Sequence, residues 1–205
     1  MDCCLNRAAL VATCLLTVPA AAAESWEERY GFVAQCQAEM SETVAWDAAG
    51  ITVRVEARLS PGEDTWPRLE RMIHLPDGRK IDLGGGGKMN EEPQDCGDYL
   101  VGAIGPTLQS LEAGPHGWRT TDDVFDTLWH AKSCALPDNW DPRDPGQVAC
   151  RDAKALADGM SIDLAQRWGL AGQPLLAVPY SAYGVDVMAV DMDTLQLTAL
   201  GFDGC

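Results

Sequence analysis

The clearest pattern in the chain is a strict alternation of apolar and polar residues over positions 51–59. Side chains of a strand point alternately to its two faces, so this pattern predicts a strand with one buried face. After a loop rich in proline and glycine at 61–67, we predict a second strand at about 69–75. A proline–aspartate–glycine turn at 76–78 leads into a third at about 79–83. The segment therefore predicts an antiparallel meander.

Upstream of these strands, the apolar spacing becomes helical. Apolar side chains recur at Trp26, Tyr30, Val33, Met40 and Val44. Ser25 and Glu28 have the spacing of a capping box, which satisfies the free amide groups at the start of a helix. Together these features predict an amphipathic helix over about 26–45.

Three more helices are predicted in the middle of the chain, at about 98–112, 121–133 and 149–168. Gly105 and Pro106 interrupt the first of them. Because proline lacks the amide hydrogen that a helix interior needs, we expect two short helices there.

Two tryptophans in the later helices fall on or beside apolar stripes. Thr120 and Asp123 are suited to cap the helix at 121–133, and Trp129 lies on a stripe of that helix. Trp168 continues the stripe of the helix at 149–168, which Gly169 is placed to end. We therefore predict that both Trp129 and Trp168 are core residues.

The C-terminal part predicts strands again, at about 175–180, 185–190 and 195–202. Strands near both ends with helices between them indicate an α+β fold, since no alternation of strand and helix runs through the chain. The length of residues 24–205 fits a single globular domain.

The N-terminal residues have the layout of a secretory signal peptide. Arg7 precedes an apolar run at 8–18, and Pro19 and four alanines follow, so we predict a signal peptide at 1–23, cleaved after Ala23. The run is about half of the roughly 20 residues that span a bilayer. The protein is thus expected to be exported, periplasmic or secreted, without a membrane span. A lipid anchor on Cys14 is an alternative, although Thr13 is larger than the residue that such sites require.

The chain is strongly acidic, with a formal net charge of −16 at pH 7. Removing residues 1–23 takes away one acid and one base and leaves this value unchanged. Such a charge opposes binding to nucleic acid and to anionic membranes. It favours a basic protein or a cationic ligand as partner, but negative charge also serves solubility alone.

Five cysteines remain after the predicted cleavage: Cys36, Cys96, Cys134, Cys150 and Cys205. In an oxidising compartment we expect two disulfides and one unpaired thiol. Cys134 and Cys150 enclose a proline-rich loop and are the first pair. Cys36, Cys96 and Cys205 compete for the second disulfide. We prefer the pair Cys36–Cys96, which leaves Cys205 unpaired. No Cys-x-x-Cys motif indicates thiol oxidoreductase chemistry.

The predicted helix at 121–133 carries the residues best suited to catalysis. Asp122, Asp123 or Asp126 with His130 would supply general acid and base for a cell-envelope hydrolase. Acids in a first helical turn are equally explained by the helix dipole. Asp126, His130 and Cys134 are spaced to share one face and would suit zinc, but Cys134 is also the first disulfide candidate.

Two loops resemble ligand sites but lack a required residue. The glycine run at 84–88 ends in a lysine, as phosphate-binding loops do, but Met89 replaces the Ser or Thr that binds magnesium. Asp138, Asp141 and Asp144 would suit calcium, but their spacing is not that of an EF-hand. We therefore expect no metal and no cofactor.

Tryptophans in loops are the most suggestive remaining feature. Trp66, Trp118 and Trp140 lie among turn residues, where rings are harder to bury, and Asp138 and Asp141 are near the last of them. Such rings stack on sugars or face cations, or they anchor loops onto the core.

The leading hypothesis is a non-catalytic binding module for a cationic protein or ligand, for example an inhibitor or immunity-type protein. The alternatives are the hydrolase above and an exported protein that dimerises covalently through Cys205.

Overall fold

Residues 31–62, 67–85, 94–181 and 184–204 are described by the computed structural model, and they form two antiparallel sheets with helices between them. This is the predicted α+β fold. The predicted signal peptide at 1–23 lies outside these residues, as do Trp26, Trp66 and Cys205.

The first sheet has four strands, β1 (Ala38–Trp46), β2 (Ile51–Ser60), β3 (Arg68–His74) and β4 (Lys80–Asp82), which pair in that order. Each strand is antiparallel to the next. The alternation along β2 places Val53, Val55, Ala57 and Leu59 in the core. The predicted meander of β2, β3 and β4 is thus confirmed, and β1 extends it by one strand.

The helix predicted over 26–45 is wrong where the structure describes it. A 3-10 turn spans Gly31–Gln35, and β1 follows. Met40 and Val44 are four residues apart, a spacing that suits both a helical stripe and a strand face. Trp46 distinguishes a strand from a helix, because it follows Val44 by two residues, as on one face of a strand, and is fully buried. Pairing with β2 along all nine residues of β1 then favours the strand.

The helix predicted at 98–112 forms as α1 (Cys96–Ala113), and its expected division at Pro106 is wrong. Proline removes one hydrogen bond from a helix, but burial of one face of α1 outweighs this loss. The same helix also binds an edge of the second sheet. Thr107 Oγ1 donates to the carbonyl of Ala177 at 2.7 Å, and the amide of Ala177 donates to Ser110 Oγ at 2.8 Å.

The next helix, α2 (Thr121–Ser133), has the predicted bounds and the predicted capping box. The amides of Arg119 and Thr120 donate to Asp123 Oδ2 at 2.7 and 3.0 Å.

The single helix predicted at 149–168 is wrong after Asp158. Helix α3 (Pro145–Asp158) ends there, and a 3-10 turn (Leu164–Gln166) and the short α4 (Arg167–Leu170) follow separately. Met160 pairs with Gly201 of the second sheet, which pulls the chain out of helical geometry. Asp163 then caps a new turn by accepting from the amide of Ala165 at 2.7 Å.

The second sheet consists of β5 (Leu175–Ser181), β6 (Gly184–Val190) and β7 (Leu197–Gly204), paired antiparallel in that order. The three predicted C-terminal strands are confirmed. Both faces of the sheet are covered. Leu176 and Val178 join a core with the first sheet and α1, whereas Leu175 and Val187 join a second core with α2.

Two disulfides close the fold. Cys36 is bonded to Cys96, with the Cα atoms 5.4 Å apart, and Cys134 is bonded to Cys150, with the Cα atoms 5.9 Å apart. These are the two pairs preferred from the sequence. In the described part of the chain, no helix combines the length and the apolar character that a membrane crossing requires.

Candidate binding surface

The acids and the histidine proposed for catalysis all lie on α2. Asp122 is half-buried, and Asp123, Asp126 and His130 are exposed. Asp123 is committed to the cap of the helix, as described above. Asp126 faces Arg167 of α4, with Oδ1 and Nη2 3.8 Å apart.

The zinc alternative loses its sulfur ligand, because Cys134 is bonded to Cys150. Among the residues that the structure describes, no three histidine, cysteine or acidic side chains lie close enough to hold a metal ion.

In the acidic loop between α2 and α3, two carboxylates accept hydrogen bonds from nearby backbone amides. Asp141 Oδ1 accepts from the amide of Arg143 at 2.8 Å. Asp144 caps α3 by accepting from the amides of Gly146 and Gln147 at 2.8 and 3.3 Å. Asp138 is exposed. A calcium ion would have to displace the hydrogen bonds that shape this loop.

The two described loop tryptophans each have a neighbour within the chain. Trp118 is only 6% exposed, and its Nε1 donates to Thr127 Oγ1 at 3.1 Å, the arrangement of a loop anchor. Trp140 is half-buried, and the guanidinium carbon of Arg151 lies 5.0 Å from its ring centroid. One face of this ring is therefore already occupied by an internal cation.

Among the described tryptophans, the exposed ones are instead Trp129 and Trp168, which the sequence pattern placed in the core. Their side chains are 61% and 89% exposed. Trp129 lies at the margin of the apolar stripe of α2, beyond Phe125, which is fully buried. Trp168 lies on α4, so the stripe of α3 does not reach it. The capping pair Asp163–Gln166 was the signal in the sequence that a new helical segment begins before Trp168.

Five residues around these rings form one continuous region, which we call the tryptophan surface: Asp122, Asp126, Trp129, Arg167 and Trp168. Asp122, Asp126 and Trp129 follow spacings of four and three residues and therefore share one flank of α2. Arg167 reaches Asp126 on that flank. Thr121 Oγ1 also donates to the carbonyl of Leu170, which holds α4 alongside the start of α2. Trp129 thus lies one helical turn after Asp126, and Trp168 is the sequence neighbour of Arg167, which contacts Asp126.

Two adjoining concavities of about 370 and 360 Å³ lie beside this region. Leu128 and Lys132 of α2 line both of them. Ile162 and Leu164 add apolar walls to the first, and Lys154 and Asp158 of α3 border the second. The area next to Trp129 is therefore partly apolar with charged edges, a composition typical of protein interfaces.

Charge is distributed unevenly between the two sides of the molecule. On the outer face of the first sheet, four bases alternate with four acids: Arg54, Arg58, Arg68 and Lys80 with Glu39, Glu56, Glu70 and Asp82. Several of them pair, as Arg58 does with Glu39 at 3.0 Å and Arg54 with Glu56 at 3.2 Å. In the helical layer, residues 94–170, acids outnumber bases twelve to six. Residues 94–170 thus carry six of the sixteen net negative charges, and this sheet face carries none of them.

Comparison with known proteins gives no relatives: no protein-family model, no curated protein and no solved structure matches this chain. The functional argument therefore depends on the geometry and the charges of the molecule itself.

Proposed function

We propose that this chain is an exported, non-catalytic binding module whose helical layer binds a cationic partner, such as the surface of a basic exported protein. The observation that carries this proposal is the uneven distribution of charge. The outer face of the first sheet has balanced charges, whereas residues 94–170 carry twelve acids and six bases, so the acidic excess lies away from that sheet face. Such an excess attracts a cationic partner and orients it before contact.

Export is part of this proposal and has two independent supports. The sequence of residues 1–23 has the order of charged, apolar and small residues that a signal peptide needs. Two disulfides are characteristic of proteins that mature in an oxidising compartment. An inhibitor or immunity-type role against a basic enzyme is one concrete form of such a function.

The hydrolase alternative has no geometric support of this kind. Asp123 is used as a cap, and Asp126 and His130 are exposed. We therefore develop only the binding function.

Two triple variants with equal changes in net charge test the proposal. The first neutralises the helical layer with Asp122→Asn, Asp138→Asn and Asp158→Asn. The second neutralises the first sheet with Glu39→Gln, Glu42→Gln and Glu70→Gln. The measurement is retention of each protein on columns of immobilised basic exported proteins at low and moderate salt.

We expect salt-sensitive retention of the wild type, because screening weakens attraction between exposed charges. The helical-layer variant should elute earlier than the sheet variant. Equal elution of the two variants would show that net charge alone governs retention. Absence of any salt-sensitive retention of the wild type would contradict the proposed function.

A further inference from the structure

We propose that the tryptophan surface binds arginine side chains that a basic partner protein presents. This inference rests on the proposed function, because both require a cationic partner. It adds the place of contact and the type of side chain that is recognised.

The first step of the argument is the exposure of the two rings. Trp129 and Trp168 are 61% and 89% exposed, whereas Trp46 and Trp118 are buried. A tryptophan buries more apolar area than most residues when a partner covers it, and tryptophan is enriched among the residues that dominate binding energy. Two such rings on neighbouring helices mark this region as an interaction surface.

The second step is the position of a carboxylate on the helix that carries Trp129. Asp126 lies one helical turn before Trp129 on the same flank of α2. It also faces Arg167, the sequence neighbour of Trp168, at 3.8 Å. A guanidinium stacks on an aromatic ring and at the same time donates to a carboxylate at its edge. A lysine ammonium is a compact point charge that stacks less well, so arginine is the better match.

The third step is that the chain already binds one of its own arginines in this way. Arg151 lies over the ring of Trp140, with its guanidinium carbon 5.0 Å from the ring centroid. Its Nε also donates to Asp152 Oδ1 at 2.7 Å. The tryptophan surface presents the same two groups, ring and carboxylate, to a partner instead of to an internal residue.

The fourth step distinguishes a basic partner from other occupants. A second copy of this chain would bring two molecules of net charge −16 together, which repulsion opposes. A neutral sugar would stack on the rings and donate hydroxyl hydrogen bonds to Asp122 and Asp126, but it would gain no Coulomb attraction from the net charge of −16. Charge complementarity with the acidic helical layer therefore favours a cationic partner.

Binding of short peptides by the full chain tests the inference. The probes are an arginine–glycine peptide, a lysine–glycine peptide of equal charge and a glutamate–glycine peptide, titrated by calorimetry. We expect the arginine peptide to bind most tightly and the glutamate peptide not to bind.

Ring removal is the decisive comparison. Trp129→Ala and Trp168→Ala should each weaken binding of the arginine peptide about five-fold or more, since each removes one stacking partner. Trp129→Phe and Trp168→Phe keep an aromatic ring and should lose less affinity for the arginine peptide than the alanine variants. Val101→Ser on α1, where the side chain is 50% exposed, is the matched control for removal of a surface apolar group. Circular dichroism establishes that every variant is folded.

The outcomes separate this inference from the proposed function. If both alanine variants bind like the wild type while the helical-layer triple variant loses binding, the partner is cationic but does not stack on the two rings, and the inference is refuted while the proposed function stands. If the lysine peptide binds as tightly as the arginine peptide, recognition of the guanidinium is refuted. Self-association that the alanine variants abolish, or tight binding of a neutral oligosaccharide, would assign this surface to a different occupant. If no cationic peptide binds the wild type, the inference and the proposed function both fail.

Discussion

Arg71 Nη1 donates to the carbonyl oxygen of Pro179 at 2.8 Å, and this bond joins the first sheet to the second. The guanidinium is fully buried and also donates to three other carbonyls, those of Leu83, Gly84 and Ala103. Burial lowers the pKa of Arg71 to about 10, which still leaves it charged at neutral pH. One side chain thus satisfies backbone acceptors of both sheets and of α1.

Replacing this arginine should therefore lower the free energy of unfolding more than replacing an exposed arginine. Arg71→Met removes every donor and leaves buried carbonyls without partners, which we expect to lower the free energy of unfolding by about 2–4 kcal/mol. The exposed Arg68 on the same strand is the matched control, and Arg68→Met should change stability by less than about 0.5 kcal/mol. Urea unfolding at neutral pH measures both. A loss of similar size in the two variants would mean that the buried bonds of Arg71 contribute little.

The turn after α1 provides a second comparison. Gly114 and Gly117 have φ angles of +77° and +78°, but a Cβ atom on Gly114 would lie 1.8 Å from the carbonyl oxygen of Trp118. No atom lies within 4 Å of a Cβ on Gly117. Both alanine substitutions place a side chain at positive φ, which costs about 1 kcal/mol or more, and only Gly114→Ala adds a backbone collision. We expect Gly114→Ala to lower the melting temperature clearly further than Gly117→Ala. Equal shifts would show that the turn relaxes around the added methyl group.

Acid pH should destabilise the turn that joins β6 to β7. Asp191 Oδ1 accepts from the amides of Thr194 and Asp193 at 3.2 and 2.9 Å, and these bonds hold the pKa of Asp191 below its ordinary value. Because the pKa is lower in the folded state, the stabilisation is complete above the unfolded pKa near 4. It is lost as the pH falls through the lower folded value.

The test of this pH dependence is Asp191→Asn, measured by urea unfolding between pH 7 and pH 3. The variant should be less stable than the wild type at pH 7, and the difference should shrink as the pH falls below 4. Asp138→Asn, which changes the net charge equally without touching this turn, is the control. A difference that stays constant or grows at low pH would contradict the proposed role of the Asp191 carboxylate.

Local pattern predicted the strands with alternating residues and the helices with complete caps. The alternation along β2 fits only a strand, and Thr120 with Asp123 located the start of α2. The pattern failed at β1, where the spacing of Met40 and Val44 fits both a helix and a strand. Pairing with β2 decides between them. It also failed at Pro106, because the tertiary contacts that keep α1 continuous lie far away in the sequence.

The candidate site was less predictable than the fold. The sequence identified the tryptophans that lie in loops, but the structure buries Trp118 and places Arg151 over Trp140. The exposed rings lie on helices. Trp129 is at the margin of the apolar stripe of α2, and Trp168 lies on α4, beyond the end of α3. Exposure of a ring depends on which elements pack beside it, and a stripe in one helix does not contain that information.

Arg167 offers the most direct test of the claim that the tryptophan surface binds cationic side chains. Its guanidinium lies 3.8 Å from Asp126 and competes with an incoming arginine for this carboxylate. The measurement is the affinity of the arginine–glycine peptide for the wild type and for Arg167→Gln, titrated in the same buffer at low salt. We predict that the variant binds about two- to five-fold more tightly, because an exposed competing charge has been removed. Weaker or unchanged binding by Arg167→Gln would contradict the claim.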